Sequence, residues 1–212
     1  MSRDLILVPT LKEGSYIFKK DFTRHSNGLL WCKFGTYDIF IIGVSKVVSA
    51  INSYKILSSM EYDRIILTGI AGAYRESRLS VGDIVTIHLD YFVDEGIYLE
   101  DRLVGSNEIG FSVSENNMVE YDIYEDLKIV NGNTVSLCSG NDRYAEILHE
   151  KSRADVETME GAAVGYVLKI VGKKGYHIRG VSNFCGERKK QEWNIKLCMD
   201  NLCNFFRSRV LG

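Results

Sequence analysis

Short runs of apolar and β-branched residues alternate with helical patterns along this chain, and this alternation constrains the fold more than any other feature. The apolar runs lie at 5–8, 38–44, 64–69, 83–92, 133–137 and 175–182. Apolar residues with helical spacing lie at 47–60, 160–171 and 193–210. Several of the runs are apolar on both faces, which is typical of strands that helices cover on both sides. The sequence therefore predicts an α/β sandwich.

The size and charge pattern favour one domain with one unusual segment. The 212 residues are 45% hydrophobic, which is enough for one filled core, so we expect a single domain over 1–212. Segment 94–131 has ten acidic and two basic residues, a net charge of −8, whereas the rest of the chain has +6. We expect an exposed acidic excursion here; the alternatives are a loop that closes over a site or a subunit contact.

The composition argues against several classes of protein. With a net charge of −2, the chain has no basic surplus for nucleic acid or for an anionic membrane. Its apolar runs are shorter than the ~18 residues that a membrane span needs. The apolar run at 5–8 near the N-terminus is too short for a signal peptide. The five cysteines form no CxxC pair, and the four histidines (25, 88, 149 and 177) have no metal-ligand spacing. We expect a cytoplasmic protein without a metal or an organic cofactor, in which His88 and His177 are packing or surface residues and not catalysts.

Polar residues and glycines follow several of the predicted strands, where α/β proteins bind ligands. Glu13 follows the first strand and Ser45 the second, and each is also compatible with a helix start. Gly69-Ile70-Ala71-Gly72 follows the third and predicts a tight strand-to-helix turn. Glu160 differs, because its apolar and small neighbours predict burial. A buried carboxylate needs a partner, which a ligand hydroxyl would supply.

In chain order, these motifs resemble those of the nucleoside phosphorylase/nucleosidase family over nearly the whole chain. They are Glu13, Gly43-Val44-Ser45-Lys46, Gly69-Ile70-Ala71-Gly72-Ala73, Met159-Glu160-Gly161-Ala162-Ala163 and Arg179-Gly180-Val181-Ser182-Asn183. The resemblance implies a three-layer αβα sandwich with a central mixed β-sheet. Methylthioadenosine/adenosylhomocysteine nucleosidases typically have Asp where this chain has Asn183, and Ser where it has Gly161. The chain instead resembles the futalosine hydrolase branch.

The resemblance implies hydrolysis of the N-ribosidic bond of futalosine, with release of hypoxanthine and dehypoxanthine futalosine, as a step of menaquinone biosynthesis. Glu13 would activate the water and Glu160 would hold the ribose hydroxyls. Asn183 would face the base. The other expected substrate-binding residues are Met159, Ser45, Ala71, Gly72, Tyr144 and Ser182. Relatives of this type are commonly homodimers, so we expect a homodimer to which segment 94–131 or the helix at 47–60 contributes.

The chemistry of Asn183 itself favours a 6-oxopurine. Its amide has two N–H donors and one acceptor, and a 6-oxopurine has acceptors at O6 and N7. Adenine has an amino group in place of O6, and a carboxylate that is protonated toward N7 suits it better. Asn183 therefore predicts hypoxanthine as the leaving base.

Other functions remain open from the sequence. No basic or hydroxyl side chain lies between Gly69 and Gly72, which favours hydrolysis over phosphorolysis, although Lys46 and Arg75 lie nearby. The alternatives are a methylthioadenosine/adenosylhomocysteine nucleosidase, a purine nucleoside phosphorylase, and a nucleoside-binding protein without turnover. Glu13 argues against the nucleoside-binding protein, because a protein without turnover needs no base to activate water. The cluster Arg188, Lys189 and Lys190 is either a partner for the benzoate of futalosine or a solvated loop.

Overall fold

The computed structural model describes residues 3–100, 102–187 and 193–211. The strands in these ranges are β1 (Asp4–Val8), β2 (Thr23–Arg24), β3 (Leu30–Phe34), β4 (Tyr37–Ile41), β5 (Arg64–Ala73), β6 (Ile84–Tyr91), β7 (Gly96–Leu99), β8 (Arg102–Gly105), β9 (Met118–Glu120), β10 (Lys128–Thr134), β11 (Val156–Thr158) and β12 (Tyr176–Phe184). The helices are α1 (Leu11–Phe18), α2 (Lys46–Leu57), α3 (Asp142–Ser152), α4 (Gly161–Ile170) and α5 (Ile195–Phe205), which continues as a π-helical turn, Phe206–Val210.

A mixed sheet forms the centre of the molecule, with the strand order β11-β10-β6-β12-β5-β1-β4-β3-β2 and β9 beside β6. Strand β5 lies between β1 and β12 and is parallel to both. Strand β11 also pairs with β5 in the antiparallel direction, so that β5, β12, β6, β10 and β11 form a closed ring. This ring brings β11 and β12, which are far from β5 in sequence, to the two sides of the C-terminal half of β5.

Helices cover both faces of the sheet. On one face, Ile17 and Phe18 of α1 and Leu202 of α5 pack with alternate residues of β1 and β5 such as Ile6 and Ile66. On the other face, α2 and α4 pack against the intervening residues of the same strands. The predicted three-layer α/β architecture with a mixed sheet is confirmed.

Helix α2 leaves the N-terminal part of its apolar stripe exposed, whereas Leu57 at its C-terminal end is buried. Val47 and Ile51 are 67% and 61% exposed, and Tyr54 is also exposed. The buried side instead contains Ser49 and Ser53, whose small side chains face the protein interior where α2 packs against α4. The apolar spacing at 47–60 predicted the helix correctly, but the N-terminal part of the stripe points outward.

Two element predictions are wrong. Residues 69–73 do not form a turn, because they continue β5, pairing with β12 on one side and partly with β11 on the other. The strand predicted at 133–137 begins earlier and ends at Thr134, because β10 pairs with β6 and β11. Both errors come from pairing with distant strands.

The acidic segment 94–131 is partly joined to the sheet. It contains the hairpin of β7 and β8, and β9 pairs with β6. At its start, Lys46 forms ion pairs with Asp94 and with Glu95, the latter at 2.8 Å. In the part of the chain that the structure describes, no helix has the length and apolar character to cross a membrane.

Candidate active site

A cavity of about 280 Å³ opens beside the C-terminal halves of β5 and β12. It brings together most of the residues that the sequence singles out: Glu13, Ala71, Gly72, Met159, Glu160, Ser182 and Asn183. Helix α1 contributes the exposed Lys12, and the α5 region contributes Trp193 and Met199. The cavity thus joins segments from both ends of the chain.

Glu13 is held at the start of α1 by contacts with two elements. Its backbone N–H donates to Thr10 Oγ1, 3.2 Å away, and the Thr10 hydroxyl donates to the Glu13 carboxylate, as in helix starts with the Thr-x-x-Glu pattern. Its Oε1 also accepts the backbone N–H of Ile70 at 3.0 Å. The carboxylate therefore bridges α1 and β5 at the cavity wall, and the predicted helix-start role and a catalytic role are compatible.

Gly69 allows Glu13 to approach a buried arginine. A Cβ atom at position 69 would lie 2.8 Å from Glu13 Oε1 and 2.7 Å from Arg179 Nη1. Both contacts are closer than a side chain permits, so the glycine is required by space. Because Gly69 has no side chain, the Glu13 carboxylate and the Arg179 guanidinium both lie close to β5 at this residue.

Glu160 is the second carboxylate of the cavity. It is 4% exposed and accepts a hydrogen bond from Arg179 Nη2 at 3.1 Å and another from the backbone N–H of Ser45. Burial raises the pKa of Glu160, the positive charge of Arg179 opposes that shift, and the charge of Glu13 adds to it. The two carboxylates are therefore close enough to influence each other, and Arg179 is paired with Glu160.

Arg179 is itself positioned by a buried chain of polar groups. Its Nε donates to His177 Nε2 at 2.7 Å, and its Nη1 donates to the Ile70 carbonyl at 3.1 Å. Because arginine is only a donor, His177 must accept at Nε2 and carry its proton on Nδ1. That nitrogen lies 3.2 Å from Asp90 Oδ2, an electrostatic contact without regular hydrogen-bond geometry. Burial lowers the pKa of His177 to about 4, so the ring is neutral near pH 7.

The space for this chain of groups depends on Gly161. A Cβ atom there would overlap Asp90 Oδ2 and lie 2.5 Å from His177 Cε1. The expectation that His177 is a packing residue is met by its complete burial, and its contact with Arg179 adds a polar function.

A bulge in β12 turns two consecutive side chains toward the cavity. The pairing register with β5 shifts between Val181, opposite Ala71, and Asn183, opposite Gly72. In a regular strand, neighbouring side chains point to opposite faces, so Ser182 and Asn183 could not both line one cavity. The Ser182 hydroxyl donates to Asn183 Oδ1 at 2.8 Å, while Asn183 Nδ2 donates to the Phe184 carbonyl at 3.1 Å.

Two predicted substrate-binding residues lie outside the cavity lining. The Ser45 hydroxyl oxygen accepts a hydrogen bond from the backbone N–H of Val48 and so caps the N-terminus of α2. Only the backbone N–H of Ser45 interacts with Glu160. The Ser45 φ of 90° is a conformation that favours glycine. Tyr144 lies in α3 beside a separate surface pocket that Tyr98 and Leu103 also line. Positions 188–190 lie outside the described residues.

Sequence reasoning missed three polar residues at or beside the site: Arg179, Asp90 and Glu157. The signal for the first was a charged residue in the middle of an apolar strand, where burial requires a partner. The other two had no local signal, because their partners come from other strands.

Comparisons with known proteins give relatives in sequence and neighbours in structure. No protein-family model matches the chain. The futalosine hydrolase of Acidothermus cellulolyticus is 27% identical over 172 residues, which cover 76% of this chain and 69% of that relative. The futalosine hydrolase of Thermus thermophilus is 26% identical over 216 residues, which cover 96% of this chain and 93% of the relative.

Solved structures share the fold over almost the full length. A futalosine hydrolase mutant of Helicobacter pylori has a TM-score of 0.78 at 18% identity, covering 98% of this chain and 97% of that one. A 5'-methylthioadenosine/S-adenosylhomocysteine nucleosidase of the same organism has a TM-score of 0.79 at 16% identity, with the same coverage. The chain therefore has the fold of these nucleosidases, and its likeness in sequence to futalosine hydrolases agrees with the resemblance that its motifs suggest.

Proposed function

We propose that this chain is a purine nucleosidase that hydrolyses the N-ribosidic bond of futalosine and releases hypoxanthine. The observation that carries the proposal is the cavity in which Glu13, Glu160 and Asn183 meet, in a chain whose curated relatives are futalosine hydrolases. The reaction would serve menaquinone biosynthesis in the cytoplasm and use no metal or cofactor.

The arrangement of carboxylates supports hydrolysis through a cationic sugar. In N-ribosidic cleavage the ribose develops positive charge as the base departs, and a water adds to the anomeric carbon. Glu13, which lines the cavity, would accept the proton of that water. Glu160 would accept hydrogen bonds from ribose hydroxyls, and its negative charge would stabilise the cationic transition state. The hydrogen-bonded Arg179 opposes the rise in the pKa of Glu160 that burial causes.

The cations near the cavity support water over phosphate as the acceptor. Lys46, a candidate phosphate ligand in the sequence, is already paired with Asp94 and Glu95. Arg75 is exposed and does not line the cavity. Arg179 lines it but donates to Glu160, His177 and Ile70. Among the described residues, Lys12 also lines the cavity, and it would meet the acidic tail of futalosine.

The test is chromatographic detection of the free base after incubation with futalosine, inosine or methylthioadenosine, each with and without phosphate. We expect hypoxanthine from futalosine without phosphate. Adenine from methylthioadenosine as the preferred product would assign the chain to the other nucleosidase branch. A requirement for phosphate would make it a phosphorylase, and binding of futalosine without any cleavage would leave only the nucleoside-binding alternative.

Replacement of Asn183 by Asp should change which base is released. A carboxylate cannot donate to O6 of hypoxanthine unless it is protonated, so Asn183→Asp should lower kcat/KM for futalosine by about tenfold or more and raise it for methylthioadenosine. The measurement is the ratio of the two kcat/KM values in wild type and variant. Asn204→Asp makes the same chemical change at an exposed position outside the cavity lining and serves as the control. An unchanged ratio in Asn183→Asp would remove Asn183 from base recognition.

We also propose that the chain is a homodimer that buries the exposed apolar stripe of α2. Val47, Ile51 and Tyr54 lie on one side of that helix and are exposed in the single chain. Sedimentation should give about twice the 24.0 kDa of one chain. Ile51→Glu should produce a monomer, whereas Ile129→Glu, at a residue that is 54% exposed on β10, should not. A monomeric wild type would contradict the proposal.

A further inference from the structure

Glu157 is a buried carboxylate in the cavity wall that the proposed reaction does not use. It belongs to β11, is 6% exposed and lines the cavity. Its Oε1 accepts the backbone N–H of Ser139 at 2.9 Å, and its Oε2 accepts the hydroxyls of Ser139 at 2.8 Å and Tyr74 at 3.3 Å. Burial raises the pKa of Glu157, while these three hydrogen bonds favour its ionised form.

The sheet places Glu157 and Asn183 on the two sides of one glycine. Gly72 pairs with Glu157 across the antiparallel β11 and with Asn183 across the parallel β12. Residues that are directly paired on neighbouring strands project to the same face. A Cβ atom at Gly72 would lie 2.9 Å from Cys185 Sγ and 3.3 Å from Asn183 Nδ2, so the thiol and the amide both extend toward the glycine. The space above Gly72 is therefore bordered by an amide and a carboxylate.

The width of this space suits a flat ring. Neighbouring strands are separated by ~4.8 Å, so the Cα atoms of Glu157 and Asn183 are ~10 Å apart. Because Gly72 has no side chain, a planar group can lie between their polar ends. Each carboxylate oxygen can accept two hydrogen bonds, and the described residues give Oε1 one, so this oxygen retains acceptor capacity.

We propose that Glu157 is a second base-recognition residue, which accepts the N1–H of a 6-oxopurine while Asn183 donates to O6 or N7. This inference rests on the proposed function and adds the group that discriminates between bases. An ionised carboxylate is only an acceptor. The N1 of a 6-oxopurine carries a hydrogen, whereas the N1 of adenine carries a lone pair, which the carboxylate would repel. Together, Glu157 and Asn183 would read both hydrogen-bonding positions that distinguish hypoxanthine from adenine.

The kinetic test compares futalosine with its analogue that carries adenine in place of hypoxanthine. Glu157→Gln should lower kcat/KM for futalosine roughly ten- to hundredfold, the usual effect of losing a hydrogen bond to a charged group. It should leave the adenine analogue unchanged or improved, because the glutamine amide can donate to N1. Ser139→Ala is the matched control, since it removes one hydrogen bond to Glu157 but keeps the carboxylate. A merely structural Glu157 would affect both substrates equally and leave their ratio as in wild type.

A binding measurement on the wild-type protein tests the same contact without turnover or substitution. Calorimetry with hypoxanthine and 1-methylhypoxanthine should show at least about tenfold weaker binding of the methylated base, which has no N1–H. Equal binding of the two, or an unchanged substrate ratio in Glu157→Gln, would overturn the role of Glu157. Failure to cleave futalosine, combined with tight and methyl-sensitive hypoxanthine binding, would instead contradict the proposed reaction and leave this inference standing.

Discussion

Glu13→Gln should lower kcat for futalosine by roughly 10²- to 10⁴-fold, which is the usual contribution of a general base. Glutamine still has an oxygen to accept the Ile70 N–H and an amide that reaches Thr10, so the start of α1 keeps its hydrogen bonds. It cannot take a proton from water at neutral pH. The measurement is the initial rate of hypoxanthine release over a range of futalosine concentrations, which separates kcat from KM.

The control for this variant is Glu61→Gln, which removes a carboxylate at the surface, where Glu61 pairs with Lys173. We expect wild-type kinetics from it. In Glu13→Gln, KM should stay near the wild-type value because the ribose and the base keep their contacts. A kcat within tenfold of wild type would exclude Glu13 as the base. A large rise in KM with an unchanged kcat would make it a binding residue instead.

Arg179→Met should produce the largest loss of stability among single substitutions in the site. Arg179 is 1% exposed and donates to Glu160, His177 and the Ile70 carbonyl. Methionine leaves Glu160 buried without its cation, a change that typically costs about 3–5 kcal/mol. Urea unfolding, followed by tryptophan fluorescence, measures the free energy of unfolding. Activity should fall as well, because the loss of Arg179 removes the positive charge that opposes the raised pKa of Glu160 and the hydrogen bond that positions it.

The double variant Glu160→Gln/Arg179→Met separates the electrostatic effect from simple loss of packing. It removes the uncompensated carboxylate, so we expect it to be more stable than Arg179→Met by about 1 kcal/mol or more, while it remains inactive. Equal stability of the single and double variants would mean that packing, and not charge, explains the loss. A free energy of unfolding in Arg179→Met within about 1 kcal/mol of wild type would contradict the importance of the ion pair.

The sequence predicted the local features of the site well. Glu13, Glu160 and Asn183 follow or precede elements whose apolar pattern is evident over a few residues, and all three line the cavity. Ser45 and Tyr144 were predicted from motif position alone, and their side chains do not line it. Position in a motif defines the backbone segment, whereas the direction of a side chain depends on the helix or strand that the segment enters.

Local pattern determined the α/β class, the main strands and helices, and the residue types available for catalysis, because hydrophobic periodicity and polar residues at strand ends are encoded over short distances. Tertiary pairing decided the rest. The extension of β5 through Gly72, the bulge before Asn183 and the approach of Glu157 from β11 all require strands that are distant in the sequence. The outward apolar stripe of α2 likewise reflects which face meets α4. Register and facing partners are set by long-range contacts, so no single segment of the sequence contains them.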